Sequence, residues 1–363
     1  MSSLTVIDPG FLTTVQDLGR PRGEPLGLPA GGAMDRLALM AANALVGNSL
    51  GAAALEFALA GPSLRVGDCE TSGALLAAAG RGFALEVGGR SVPLWMAAWA
   101  RCGETVTLRS TGHGWGYLAI AGPDGIDVPE ILGSRSTCLR GKFGGFQGRP
   151  LQAGDTLPLA SAPAESYELA GRELPDDLIP AYSDPGGASG VLRDHPVLDV
   201  ILGPQDSAFT PGAVQTFLSA EYALTPACDR MGYRLRGPVE TQNLASLRPG
   251  GSEVETQDVA SQAHPEKYVG ARNLASLRPG GELLSEGVAF GAVQVPPDGQ
   301  PIVLMADRQT TGGYPKIATV TSASLPLLAQ CPAGEGTVRF RAVSVEEAQA
   351  QWRALVHSLE SLG

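Results

Sequence analysis

The sequence predicts a mainly β protein, with minor α, built as two successive β-rich blocks. Three observations predict it. Glycine (48) and proline (28) together make about a fifth of the 363 residues, which favours short strands and turns over long helices. Short apolar runs alternate with turn signals along most of the chain. A stretch rich in proline and acids between Ala160 and Pro196 separates two such regions. We therefore place one domain at residues 1–190 and a second at 191–363.

The first block opens on a strand, Leu4 to Ile7, and a turn, Asp8-Pro-Gly10. A polar segment, Thr13 to Arg20, follows. From Ala33 to Val46 the spacing is helical, with Leu37, Met40, Ala41, Ala44 and Leu45 on one face and Gly47-Asn48 as the stop. From Ala54 to Leu159 the pattern is of short strands: LEFALA, SLRV, ALLAAAG, ALEVGG, VPLWMAAWA, TVTLRS and GYLAIAG. The second block starts at Val197 to Leu202 and ends in a helical tail, Val345 to Leu355. Near its end, Asp307 to Lys316 hangs between two strand-like runs, Ile302 to Met305 and Ile317 to Val320. The bland form of that arrangement is a polar hairpin loop. The two blocks share short matches, among them Asp35-Arg36 and Asp229-Arg230, which suggest an ancient duplication. A sharper repeat is local. Asn243 to Gly251 recurs letter for letter at Asn273 to Gly281, as a duplicated loop insertion across about 243–281.

A net charge of −11 argues against nucleic acid as a partner, since phosphate binding needs a basic surface. No apolar run approaches the roughly 18 residues of a membrane helix, and the N-terminus reads as a strand rather than a leader. The five cysteines and four histidines are scattered and form no metal-ligand spacing, so no metal is expected. With no disulfide framework, the expected compartment is the cytoplasm.

Chemistry is concentrated in polar clusters. Gln16-Asp17 stands with Arg20. Gly133 to Thr137, which contains Arg135 and Ser136, stands near Arg140 and Lys142. Asp229-Arg230 stands with Tyr233, and Glu286 lies between strand-like runs, where burial could make it an acid or base. Taken alone, each Asp-Arg pair reads as an ion pair fixing a turn. Together, Arg, Lys and backbone N–H groups converging on glycine loops suit a small anion such as carboxylate or phosphate. Lys316 is one of only three lysines, so its position in the richest cluster points to a need for a compact ammonium. Cys228 has no histidine beside it and reads as a small buried residue, not a nucleophile. The chain has no Walker loop, no G-x-G-x-x-G after a strand, no nucleophile elbow, and no Met-Lys-Met site for biotin attachment.

The motifs LTTVQDLGR (12–20), GAMDRLAL (32–39), GIDVPEILGSRST (125–137), GPQD (203–206), DRMGYRL (229–235), ELLSEGV (282–288) and VQVPPDGQPIVLMADRQTTGGYPKIATV (293–320) resemble one family in order. It is the biotin-dependent-carboxyltransferase-like family, which includes 5-oxoprolinase C subunits, KipA-type regulators and part of urea carboxylase, long described as allophanate hydrolase subunit 2. The resemblance implies two cyclophilin-like β-barrel domains. It implies subunit partners, a KipI-like B subunit and a LamB/YcsF-like A subunit, and ATP-dependent conversion of 5-oxoproline to glutamate. Alternatives it carries are carboxyl transfer from biotin borne by another protein, and regulation by antagonising a kinase inhibitor. Residues within these motifs become the site candidates: Glu286, Asp307 and Lys316 for catalysis, and Gln16, Asp17, Arg36, Arg135, Ser136, Arg230, Tyr233, Arg308, Gln309, Thr310, Gly312, Gly313 and Tyr314 for substrate or anion binding. The chain departs from the pattern at Gly122 to Gly125, at Cys228 where serine is common, and at the duplication.

Overall fold

The computed structural model describes residues 3–67, 72–159, 164–179, 195–203, 205–237 and 285–362. The domain boundary at 190/191 and the duplicated loop at 243–281 lie outside the described residues.

The first block contains β1 (Ser3–Asp8), β2 (Thr14–Gln16), α1 (Arg36–Leu45), β3 (Ala54–Ala58), β4 (Ser63–Val66), β5 (Gly73–Gly80), β6 (Phe83–Val87), β7 (Arg90–Val92), β8 (Ala97–Arg101), β9 (Thr105–Ser110), β10 (Trp115–Ile120) and β11 (Thr156–Pro158). They form a six-stranded sheet, β11-β1-β4-β9-β6-β7, and a five-stranded sheet, β2-β3-β10-β5-β8. One core lies between them, with Leu4, Val6, Leu64 and Leu85 from the first sheet meeting Leu55, Phe57, Leu76 and Leu118 from the second. The alternation of a strand explains the rest. On β5, Leu76 and Ala78 face that core, while Leu75, Ala77 and Ala79 face α1 and join a second core continuous with the other block. Burial on both faces is why ALLAAAG reads as an unbroken apolar run.

Helix α1 starts where Asp35 caps it, accepting from Ala38 N–H at 2.9 Å. The sequence indicates one apolar face, but nine of its ten residues are buried. The sheet covers one side, and elements of the second block cover the other.

The second block contains β12 (Val197–Leu202), α2 (Pro211–Ser219), β13 (Glu221–Leu224), β14 (Gly232–Arg236), β15 (Glu286–Gly287), β16 (Ala292–Gln294), β17 (Ile302–Leu304), β18 (Thr311–Gly312), β19 (Lys316–Val320), α3 (Leu325–Ala329), β20 (Thr337–Ala342) and α4 (Val345–Glu360). Seven strands close a barrel in the order β12-β19-β16-β17-β14-β13-β20. Its pairs are antiparallel except β12 with β20. Phe217 of α2 packs with Tyr222 and Phe340, stacked on Phe340 at 4.4 Å. The closing helix runs five residues past the predicted Leu355, capped by Ser344 on Glu347 N–H at 3.1 Å.

The segment 307–315 is not a hairpin loop. β17 and β19 both pair with β16, which lies between them, so the segment crosses the end of β16. Its β18 pairs instead with the short β15. That crossing brings the polar cluster to the seam between the blocks. No described helix is long and apolar enough to cross a membrane.

Candidate functional site

The seam is organised around Arg230. Its Nε and Nη2 each reach Asp307 at 2.9 Å, a two-pronged pair. Its Nη1 donates to Glu56 of the first block, and Nη2 also donates to the Gly32 carbonyl at 2.8 Å. Burial pulls the guanidinium down, but Asp307 and Glu56 reverse this and hold it above its ordinary value. Burial raises the Glu56 carboxyl above the usual range, against the pull of Arg230, the Met34 N–H and the Tyr117 hydroxyl. Tyr117 donates to Glu56 at 2.7 Å and accepts from Asp35 N–H at 2.8 Å. Asp35 in turn accepts from Gln330 of the second block at 2.7 Å. The network therefore crosses the seam at Arg230 and again at Gln330. Gly32 takes φ of 87°, and a Cβ there would lie 2.7 Å from Gly19 N, so only glycine presents this carbonyl to Arg230.

Beside this network lies a cleft of about 530 Å³, with walls from both blocks. Phe11, Leu12, Trp115 and Met231 give it apolar surface, and Arg230, Asp307, Tyr233 and Arg140 give it polar groups. Such a volume at a domain seam suits a small molecule. The Tyr233 hydroxyl is buried, donating to Ala329 O at 3.0 Å and accepting from Trp115 Nε1 at 3.1 Å. Burial pushes its pKa well up, so it serves as a neutral hydrogen-bonding group. The two cysteines of the wall are also held as thiols, since burial raises Cys228 and pushes Cys331 up to about 12.

Next to the cleft, Asp17 ties a loop of the first block. Its carboxylate accepts from Gly19 N–H at 2.7 Å, Ser134 Oγ at 2.7 Å, Arg135 N–H at 2.6 Å and the Ser136 hydroxyl. Gln16 is buried beside it and donates to Thr14 Oγ1 at 3.0 Å. Arg20, 0% exposed, donates to the Ser136 carbonyl and lies 4.9 Å from the Phe143 ring centre. The Arg135 side chain points elsewhere, pairing with Asp124 at 2.9 Å.

The second arginine of the paired motifs also crosses the seam. Arg36 lies over the Phe290 ring of the second block at 4.8 Å, and Arg308 lies near the same ring at 5.9 Å. Arg308 donates to the Val288 carbonyl at 3.0 Å and pairs with Glu24 of the first block. Each block thus sends the arginine of its Asp-Arg pair into the other. Asp35 and Asp229, for their part, cap a helix and fix a turn.

Further along the same segment, Lys316 Nζ meets Glu286 at 3.2 Å, and Gln205 bridges them, donating to Glu286 at 2.7 Å and accepting from Lys316 N–H at 3.0 Å. Lys316 is buried, but Glu286 is exposed. The acid-base role expected of Glu286 through burial therefore has no basis here. Gln309 donates to Gln294 Oε1 at 3.3 Å, and Gln294 donates to the Tyr314 carbonyl at 3.4 Å. Gly312 packs closely on Gln294, whose Nε2 a Cβ there would meet at 2.6 Å. Thr310 supplies a carbonyl to Val288 N–H at 3.1 Å, Gly313 continues the chain beyond β18, and Tyr314 is 48% exposed.

Of the candidates, Arg230, Tyr233 and Asp307 line the cleft together. Arg36 and Arg308 share the Phe290 patch, and Lys316 and Glu286 form a separate pair. Glu56, Tyr117 and Gln330 were missed. A signal existed for Glu56, a charge set inside the apolar run Leu55-Glu56-Phe57. Among the described residues, no group of three or more His, Cys, Asp or Glu side chains could hold a metal.

A model of the carboxyltransferase domain, subdomain A and B, matches residues 26–342. The chain is 35% identical over 346 residues to the C subunit of 5-oxoprolinase from Escherichia coli K12, covering 95% of this chain and 93% of that protein. It is 31% identical to a putative urea carboxylase of Emericella nidulans, covering 96% of this chain but 25% of that protein. Among solved structures, urea amidolyase of K. lactis superposes with a TM-score of 0.77 at 25% identity, covering 99% of this chain. The chain spans about a fifth of that larger protein.

Proposed function

We propose that this chain, which belongs to the carboxyltransferase family of subdomains A and B, is the C subunit of a multi-subunit 5-oxoprolinase that opens 5-oxoproline to glutamate with ATP. The observation that carries the reading is the seam cleft. It offers apolar wall for a small ring and fixed donors for polar groups. The matches to C subunits of that name, at 35% and 33% identity against 31% for the putative urea carboxylase, favour this reading over a urea-acting one.

The lactam is a resonance-stabilised amide, so its opening benefits from activation. Phosphorylation of its oxygen by ATP makes the carbon electrophilic. Water adds there, the C–N bond opens as nitrogen takes a proton, and the acyl phosphate so formed is hydrolysed by a further water. The role of this chain is to bind and orient. Arg140 and the one N–H of Arg230 Nη1 not taken up by Glu56, both at the cleft, stabilise the oxyanions along that path. The sequence carries no Walker loop, so ATP is consumed by the assembled enzyme, with a KipI-like B subunit and a LamB/YcsF-like A subunit as partners.

The test is glutamate release from 5-oxoproline and ATP, with each subunit and ATP omitted in turn. Release that depends on this chain supports the reading. A stable complex without release sinks it and favours carboxyl transfer from biotin carried on another protein, the reading that the urea-acting relatives suggest. Dependence on bicarbonate and a biotinylated carrier would then be measured.

A further inference from the structure

Three arginines at the seam are left short of acceptors. Arg20 Nε and Nη1, Arg36 Nε and Arg308 Nη1 are all buried without a hydrogen-bond partner. Arg20 is 0% exposed and Arg308 5%. Buried N–H groups are nearly always satisfied, and leaving one unpaired costs about 1–3 kcal/mol. The two on Arg36 and Arg308, which share one ring, call for an acceptor that the described residues do not supply.

The nearby carboxylates are already engaged. Asp307 and Glu56 hold Arg230, and Glu24 holds Arg308. Asp17 is taken up by two serine hydroxyls and two backbone N–H groups. Arg36 makes no side-chain hydrogen bond or ion pair with any described residue. It rests on one ring, Phe290, that it shares with another cation, Arg308. Burial, then the Arg308 charge, push Arg36 down to about 10, which still leaves it protonated at neutral pH. Arg20 belongs with the other pair, since a Cβ at Gly31 would stand 3.3 Å from Arg20 Nη1 and 3.8 Å from Asp307 Oδ1. Solvent reaches the patch along Pro21–Leu26, where the Glu24 side chain is 33% exposed.

We propose that Arg36 and Arg308 form a binding site for one small oxyanion, a carboxylate or a phosphate, beside Phe290 and apart from the Arg230–Asp307 pair. The guanidinium fork suits both forms, since each presents two oxygens in a plane to paired N–H donors. The site itself stands on these contacts alone. Only the identity of the oxyanion, the carboxylate of 5-oxoproline or the phosphate released from ATP, rests on the function proposed above.

Melting of the purified chain at constant ionic strength tests it, with inorganic phosphate, 5-oxoproline and 2-pyrrolidinone (the same lactam without its carboxylate) as separate probes. A ligand that binds the native state raises the melting temperature saturably. Phosphate, 5-oxoproline or both should do so, and 2-pyrrolidinone should not. The pattern tells which oxyanion the site takes. In Arg36→Met the half-saturating concentration should rise about tenfold or more, the loss of a charge-assisted bond. Arg36→Lys keeps the charge without the fork and decides the matter should the Met variant not fold, with a several-fold rise expected. No saturable response in the wild type, or an unchanged half-saturation in the variants, overturns the site. Oxyanion binding without glutamate release in the assembled enzyme would keep the site and sink the oxoprolinase reading.

Discussion

Arg230 and Glu56 stand 174 positions apart in the chain and meet as a buried ion pair across the seam. The side chains are 7% and 1% exposed. Asp307 closes the other edge of the same guanidinium with two bonds of 2.9 Å. One residue thus locks two blocks and shapes the wall of the cleft.

Replacing Arg230 with Met should destabilise the fold by about 3–5 kcal/mol, because two carboxylates are left buried without their cation. The deficit should depend on pH. Without Arg230, the folded-state pKa of Glu56 rises further above its unfolded value. The folded variant then holds a proton that the unfolded chain has released, so its stability falls as pH rises through that range. Chemical denaturation at pH 5 and pH 8, compared with the wild type, checks this. A pH-independent difference would contradict it.

Tyr117→Phe removes a hydroxyl that joins Glu56 to Asp35 N–H. The ring stays, so packing is kept while a buried acceptor and a buried donor lose a partner. The expected cost is about 1–3 kcal/mol, read as a lower denaturant midpoint with an unchanged slope.

Asp17→Ala should cost roughly 3 kcal/mol or more, since several donors around residues 134–136 lose their common acceptor at once. Ser134→Ala removes only one of them and should cost less. Equal melting temperatures for the two variants would show that Asp17 does not organise the loop.

Lys316→Met keeps the buried stem and deletes the ammonium that faces Glu286. Stability should change little, because Glu286 is exposed and can be hydrated. Turnover of the assembled enzyme should fall by roughly tenfold or more if the ammonium contacts a reacting oxyanion. Full turnover in a folded variant removes Lys316 from the site.

Much of the architecture was legible. Helix α1 announced itself by its spacing and by Gly47-Asn48, and the strands by short apolar runs between turns. The site was legible by segment but not by partner. Arg36, Arg230, Asp307 and Arg308 stood out as charges in polar motifs, yet their neighbours came from the other block. Tyr117 and Gln330 gave no sign, because nothing in GYLAIAG or in the turn after α3 marks a group that will be buried against a distant charge.

By itself, the sequence determined the mainly β class, the runs that become strands, helix α1, the closing helix and the segments that carry charge. Those follow from residues a few positions apart, through backbone propensity and the periods of strand and helix. Only the tertiary structure decided that the 307–315 segment crosses β16, that Glu286 is exposed, that Arg230 is shared by Glu56 and Asp307, and that Arg36 forms no ion pair with a described residue. These depend on how the blocks pack. Burial sets the strength of every charge interaction, and it brings together groups that lie far apart along the chain.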